Sequence, residues 1–127
     1  MTKKYAYWIS TTLLCLLYIA SAAMYLTKGD FVRQSLATLG YPVYLREVLL
    51  TVKILGVVAI LSRLSVRLSD LAYAGMFYHL LLAFSAHINV GDGGFAPAVV
   101  GFAALIISFL TQNAARAKKS PYPPLLA

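Results

Sequence analysis

Residues 5–26 read YAYWISTTLLCLLYIASAAMYL, a run of 22 residues without a charged side chain. A helix needs about 20 apolar residues to cross the hydrocarbon core of a bilayer, so this run predicts a transmembrane helix. Lys3, Lys4 and the triplet Ala20-Ser21-Ala22 also imitate a secretory signal with a cleavage site. The run continues apolar through Met24 to Leu26, which favours a retained span over a cleaved signal.

The composition of the whole chain agrees with this first run. Of 127 residues, 61% are hydrophobic and 12% are charged, against about 25% charged in a soluble domain. A soluble domain of this size buries only about two thirds of its surface and could not hide so many apolar side chains. The net charge of +7 comes from basic residues at the ends of apolar runs, not from a basic stripe with interleaved aromatics. The composition therefore predicts the lipid bilayer as partner and no nucleic acid.

Three further apolar runs lie at about 43–61, 71–88 and 95–113. With the first run they predict an all-α fold, an integral membrane bundle of four transmembrane helices in a single domain, residues 1–119. The Pro-rich residues 120–127 are predicted to form a flexible cytoplasmic tail.

A short interfacial helix is predicted between the first and second spans. Asp30 can cap it, and Val32, Leu36 and Leu39 follow the i, i+4, i+7 spacing before Gly40 ends it. An amphipathic connector lying on the bilayer is the favoured interpretation. A lid over a substrate is the alternative.

The positive-inside rule orients the spans, because the loops are short. Seven basic residues fall on one side: Lys3, Lys4, Arg63, Arg67, Arg116, Lys118 and Lys119. The other side has Lys28, Arg33 and at most Arg46. This bias predicts a multi-pass membrane protein with both termini in the cytoplasm and the turn around Asp92 outside.

Small and weakly polar residues form stripes that are expected to point into the bundle, since close backbone approach drives helix association in lipid. One stripe lies on each of three helices: Thr11, Cys15, Tyr18, Ser21 or Ala22, and Tyr25 in the first; Ala72, Gly75, His79, Ala83 and Ala86 in the third; Pro97, Gly101, Ala104, Ser108 and Thr111 in the fourth.

The most informative residue is Lys53, because an ammonium at mid-bilayer costs about 2.5 to 3.5 kcal/mol on insertion scales. Glu47 lies about 240° around the same helix and cannot pair with it directly. His79 has a similar depth, so Lys53 and His79, with Tyr18 and Tyr73, form a candidate intramembrane polar site. A bundle-stabilising lysine, a histidine that bridges helices and tyrosines that fill the core are the structural alternatives.

A second candidate site lies at the outer end of the helices and contains His87, Asp92 and Glu47. Two or three ligands of this kind make a weak metal signal, and Asp92-Gly93-Gly94 is also typical of a turn, so no metal is predicted. Cys15 is the only cysteine, so neither a dithiol nor a Cys/His zinc motif is available. No nucleophile–base–orienter triad is recognisable.

Several short motifs, in order along the four runs, resemble the DoxX-like membrane proteins over about residues 5–113. They are Tyr18 with Ser21, Gly40-Tyr41-Pro42, Lys53-Ile54-Leu55-Gly56, Ala72-Tyr73-Ala74-Gly75, and Ser85-Ala86-His87 followed by Gly91-Asp92. The resemblance implies a four-helix membrane fold. It gives Lys53, Tyr73, His87 and Asp92 as matching positions without assigned roles.

The resemblance also suggests activities, because the family takes its name from a small subunit of a thiosulfate:quinone oxidoreductase. The leading hypothesis is a small accessory or quinone-interacting subunit of a membrane redox system, with a quinone as the ligand and Lys53 and His79 at its carbonyl. A non-enzymatic scaffold or assembly factor, with a membrane protein partner or a homodimer, is the second hypothesis. A small proton-linked transporter is the third, so whether the chain is an enzyme stays open.

Overall fold

The computed structural model describes residues 2–123, which contain five α-helices and no strand. The helices are α1 (Thr2–Thr27), α2 (Gly29–Thr38), α3 (Leu45–Ser62), α4 (Val66–Val90) and α5 (Ala96–Ala115). The predicted all-α class is confirmed. The first residue of the predicted domain and residues 124–127 of the predicted tail lie outside the described residues.

Three of these helices, α1, α4 and α5, are long and apolar enough to cross a membrane. α3 has 18 residues and is as apolar overall as the other long helices, but it carries three charged residues, Arg46, Glu47 and Lys53. Length and composition therefore identify three candidate spans in residues 2–123, and a fourth stays a prediction.

The surface of the bundle is apolar, as expected for helices that face lipid. Large side chains such as Ile9, Leu16, Leu55, Leu71 and Leu82 are exposed over more than half of their area. A soluble monomer rarely exposes so much contiguous apolar surface. Lipid is therefore the solvent for the outside of this bundle.

α1 packs along α5, and the small-residue stripes explain the close approach. Thr11, Cys15 and Tyr18 of α1 are buried, as are Gly101 and Ser108 of α5. The expectation that these two stripes point inward is confirmed for most of their residues and was wrong at Pro97, which is exposed.

The stripe on α4 is only partly inside. Tyr73, Met76 and Leu80 form the buried face of this helix, whereas Gly75 is exposed with no other atom within 4 Å of the position a Cβ would take. The expectation that all of this stripe points inward was wrong at Gly75, because a face built from large apolar side chains buries more area than a glycine can.

α2 packs against α1 and α3 through Val32 and Leu36, which are both buried. Lys28, not Asp30, is the residue before the helix, and Asp30 lies in the first turn. There its carboxylate accepts a hydrogen bond from Arg33 at 3.2 Å, so the prediction that Asp30 caps this helix was wrong. The placement of α2 at a membrane interface stays a prediction.

Candidate functional site

Lys53 lies inside the bundle and is only 5% exposed. Its Nζ atom lies 3.5 Å from His79 Nε2 on α4. The same atom lies 5.0 Å from the centroids of the Tyr18 and Tyr25 rings on α1. No carboxylate of residues 2–123 forms an ion pair with Lys53. The cation therefore has one weak hydrogen bond and two aromatic faces as polar surroundings.

His79 connects Lys53 to Tyr18. The Tyr18 hydroxyl lies 2.8 Å from His79 Nδ1, and the two rings meet edge to face at 5.6 Å. Two arrangements of the protons satisfy these hydrogen bonds. In the first, the Lys53 ammonium donates to His79 Nε2, and His79 Nδ1–H donates to the Tyr18 hydroxyl. In the second, the Tyr18 hydroxyl donates to Nδ1, and Nε2–H donates to a neutral Lys53 amine. We call this hydrogen-bonded series of Lys53, His79 and Tyr18 the lysine relay. Gain or loss of a proton at one end of the lysine relay reverses the direction of both hydrogen bonds.

The lysine relay lines two cavities. The first, the α2 cavity, has a volume of about 630 Å³ and is lined in part by residues of α2 such as Ser35 and Leu36. His87 and Asp92 also line it. One cavity is thus lined by part of each predicted site, by Tyr18, Lys53 and His79 of the first and by His87 and Asp92 of the second.

The second cavity, the lateral groove, has a volume of about 610 Å³ and lies between α3 and α4. Apart from the lysine relay and two serines its lining is apolar, and the apolar side chains that line it include Val52, Leu55, Val58, Leu68, Leu71 and Met76. Most of these are more than half exposed on the outside of the bundle. A lipophilic molecule in the bilayer would reach the lysine relay through this groove without crossing a polar surface.

His87 and Asp92 form a pair at the end of α4. His87 Nδ1 lies 2.9 Å from both carboxylate oxygens of Asp92, and the backbone N–H of Gly94 donates to Asp92 at 2.8 Å. Gly91 ends α4 with a φ of 67°, in the left-handed region that favours glycine. The bond from Gly94 and then that from His87 hold the pKa of Asp92 below its ordinary value.

Glu47 belongs to a different ion-pair group. Its carboxylate accepts hydrogen bonds from Arg33 at 2.7 Å and from Arg46 at 3.2 Å. Arg46 also donates to the Tyr25 carbonyl at 2.9 Å. Glu47 therefore connects α2 to the start of α3, and its carboxylate forms no hydrogen bond or ion pair with His87 or Asp92.

Tyr73 lies in another part of the core. Its hydroxyl lies 2.7 Å from Ser108 Oγ, which lies 2.6 Å from Thr11 Oγ1. Its ring packs edge to face on Phe109. Tyr73 thus joins three helices through a hydroxyl cluster, and the structure does not bring it into the lysine relay.

Two functional features were not singled out by the sequence. Tyr25 shares the Lys53 ammonium with Tyr18, and the signal was their spacing of seven residues, two helical turns on one face. Arg63 is 4% exposed, although the sequence indicated only a topological role for it.

Arg63 is the centre of what we call the terminal network, with Ser69, Gln112 and Lys118. Its guanidinium donates to the Lys118 carbonyl at 2.6 and 3.2 Å, to Gln112 Oε1 and to Ser69 Oγ. Arg63 ends α3 in the left-handed region with a φ of 52°. The network fastens the ends of α3 and α5 to the start of α4.

Ser120, where the predicted tail begins, is also fixed to this end of the bundle. Its backbone N–H donates to Asn113 Oδ1 at 2.8 Å, and its hydroxyl donates to Asp70 Oδ2 at 3.0 Å. The mobility predicted for the residues beyond it stays a prediction.

Helices with an apolar exterior and a buried polar chain define an α-helical membrane protein. Residues 9–109 match the family model of the DoxX-like family. The chain therefore belongs to the DoxX-like family, as its motifs predicted. Comparisons with curated proteins and with solved structures find no match.

Proposed function

We propose that this membrane protein crosses a bacterial inner membrane four times, with α3 as the fourth span and α2 at the outer interface. Arg63 and Arg116 support this orientation. Arg116 donates to Tyr7 at 3.2 Å and to the Leu61 carbonyl at 2.9 Å, so the ends of α1, α3 and α5 gather their basic residues at one end. The positive-inside rule makes that end cytoplasmic.

The function that the site supports best is binding of a quinone-like ligand, as a small accessory subunit of a membrane redox system. The observation that carries this proposal is the presence of the lysine relay in the lining of an otherwise apolar groove. A quinone has an apolar tail that suits such a groove and carbonyl oxygens that accept hydrogen bonds. Lys53, which has unused donors, is the natural partner for one of those oxygens.

Each member of the lysine relay has a role in this binding. Lys53 donates to the carbonyl oxygen, His79 moves a proton to or from Lys53, and the Tyr18 hydroxyl holds the His79 ring. The rings of Tyr18 and Tyr25 stabilise the ammonium through their faces. The chain's own residues thus supply binding and proton transfer, and electron transfer belongs to the partner proteins of the complex.

The proposal is tested by purifying the protein with its native lipids and quantifying quinone by mass spectrometry. We expect quinone in the wild-type protein and at least about a tenfold loss in Lys53→Met, the equivalent of one charge-assisted hydrogen bond. Tyr73→Phe is the matched control, because Tyr73 lies outside the lysine relay, and it should keep the wild-type content. Absence of quinone from the wild type, or equal content in Lys53→Met, contradicts the proposal.

The open surface at Gly75 favours a second function, a scaffold for a partner helix. Gly75 lines the lateral groove and has free space beside it, which is the small-residue surface that membrane helices use for contact. A carboxylate of the partner would then pair with Lys53. Affinity capture in mild detergent should recover a stoichiometric membrane protein with the wild type but not with Gly75→Ile, and equal recovery with both would exclude this function.

A further inference from the structure

Lys53 has the surroundings of a reactive amine as well as those of a hydrogen-bond donor. We propose that the Lys53 amine binds apolar aldehydes covalently, as imines, when they enter from the bilayer through the lateral groove. This goes beyond quinone binding and does not rest on it, because it uses the amine as a nucleophile. Three observations support it.

The first observation concerns what faces Lys53. Only a free amine is a nucleophile, and no carboxylate of residues 2–123 pairs with Lys53 to hold it as an ammonium. The groups that face it are His79 on α4 and the two tyrosine rings on α1. In the second proton arrangement of the lysine relay, His79 Nε2–H donates to a neutral amine.

The second observation is an acid–base group beside the nucleophile. Imine formation needs a proton moved from nitrogen to oxygen, and His79 Nε2 at 3.5 Å from Nζ is placed to move it. Tyr18, on the other ring nitrogen of His79, can return the proton. A nucleophile, a base and a group that orients the base are thus present together.

The third observation is the form of the two cavities. The lateral groove brings an apolar molecule to Lys53, and the α2 cavity has the polar groups Gln34, Ser35, His87 and Asp92 in its lining. No arginine lines either cavity. The site therefore suits uncharged long-chain aldehydes better than anionic ones.

The reaction balances without an oxidant or a reductant. Nζ attacks the carbonyl carbon, a C–N bond forms, and the nitrogen's proton passes through His79 to the oxygen. The hydroxyl of this carbinolamine then takes a second proton from His79 and leaves as water while the C=N bond forms, and the remaining N–H proton of the iminium returns to His79. The amine and the aldehyde thus give an imine and one water, which leaves through the α2 cavity.

The test uses the full chain in lipid nanodiscs with tetradecanal and cyanoborohydride, which traps an imine as a stable secondary amine. Peptide mapping then locates the adduct in the wild-type protein, so the test does not depend on any variant folding. We expect Lys53 to be labelled at least about ten times faster than Lys28, an exposed lysine at the start of α2. Pyridoxal phosphate, which is anionic and water-soluble, should label Lys28 and spare Lys53.

Two variants sharpen the test. Lys53→Arg keeps a cation but cannot form an imine, so the adduct at position 53 should be lost. His79→Gln should slow labelling of Lys53 by about a hundredfold, the lower end for general acid–base catalysis, and should flatten its pH profile. Labelling of Lys28 with Lys53 unmodified, or equal rates at Lys53 in the wild type and His79→Gln, would overturn the proposal.

Discussion

Arg63 and Lys53 are both buried cations on α3, but their surroundings differ. Arg63 donates to a backbone carbonyl and to two side chains, and its guanidinium is nearly saturated. Lys53 has one hydrogen bond of 3.5 Å and two aromatic rings. A buried cation whose N–H groups all have acceptors stabilises a fold. A buried cation with unused donors lowers stability, and we interpret its presence as a sign of ligand binding.

The largest effect on stability is expected for Arg63→Met. The variant leaves buried acceptors without donors, at about 1–3 kcal/mol each, so the free energy of unfolding should fall by about 2–4 kcal/mol. Unfolding in mixed detergent measures this change. Arg67→Met is the matched control, because Arg67 is exposed and makes no hydrogen bond within residues 2–123, and it should change stability by less than about 0.5 kcal/mol.

Arg63→Gly separates the hydrogen bonds from the backbone conformation. Glycine adopts the left-handed region without the steric cost of a Cβ, so this variant should be more stable than Arg63→Met by about 1 kcal/mol. The same unfolding measurement compares the two. Equal stabilities would mean that the left-handed end of α3 carries no strain.

Ser108→Ala should have the next largest effect. Ser108 bonds to both Thr11 and Tyr73, and hydrogen bonds between membrane helices contribute about 0.6–1.7 kcal/mol each. We expect a loss of about 1–2 kcal/mol in unfolding free energy. Ligand binding at the lysine relay should not change, and a loss of binding without a loss of stability would contradict this separation.

Lys53→Met should not lower the free energy of unfolding, in contrast to Arg63→Met and Ser108→Ala. Replacing a poorly paired buried cation with an apolar side chain of similar length is often neutral or stabilising, so we expect the unfolding free energy to stay equal or rise by up to about 2 kcal/mol. A fall as large as that of Arg63→Met would show that Lys53 stabilises the fold and would remove the contrast between the two cations.

The smallest effect is expected at Asp92. Its pKa in the folded protein lies below the ordinary value of 3.8, first through the Gly94 N–H and then through His87. Its contribution to stability is therefore present above pH 3.8 and is lost as the pH falls through the folded pKa. Asp92→Asn should flatten the acid limb of a stability–pH curve below pH 4, and an unchanged acid limb would contradict this assignment.

The sequence predicted the lysine relay because a lysine inside an apolar run is conspicuous and His79 and Tyr18 lie at a similar depth. It did not exclude Tyr73 from that site, although Tyr73 and His79 are six residues apart on α4 and so point about 120° apart. The side of α4 on which each residue packs depends on which large side chains α1 and α5 present, and the sequence does not give that directly.

The terminal network could not be predicted from the sequence, for another reason. It requires a left-handed residue at the end of α3 and a chain that folds back so that the Lys118 carbonyl meets Arg63, 55 residues away. The start of α4 was, by contrast, predictable. The Ser65 side chain accepts a hydrogen bond from the Leu68 N–H, a cap that the predicted span at 71–88 overlooked.

The central claim is that Lys53 faces a ligand, and titration of a short-chain quinone with thermal unfolding as the readout tests it directly. A ligand that binds only the folded state raises stability by about 2.7 kcal/mol at 100 times its Kd. We predict that the midpoint temperature of the wild type and of Tyr73→Phe rises with quinone concentration while that of Lys53→Met does not. Equal rises in the wild type and Lys53→Met, or no rise in either, would contradict the claim.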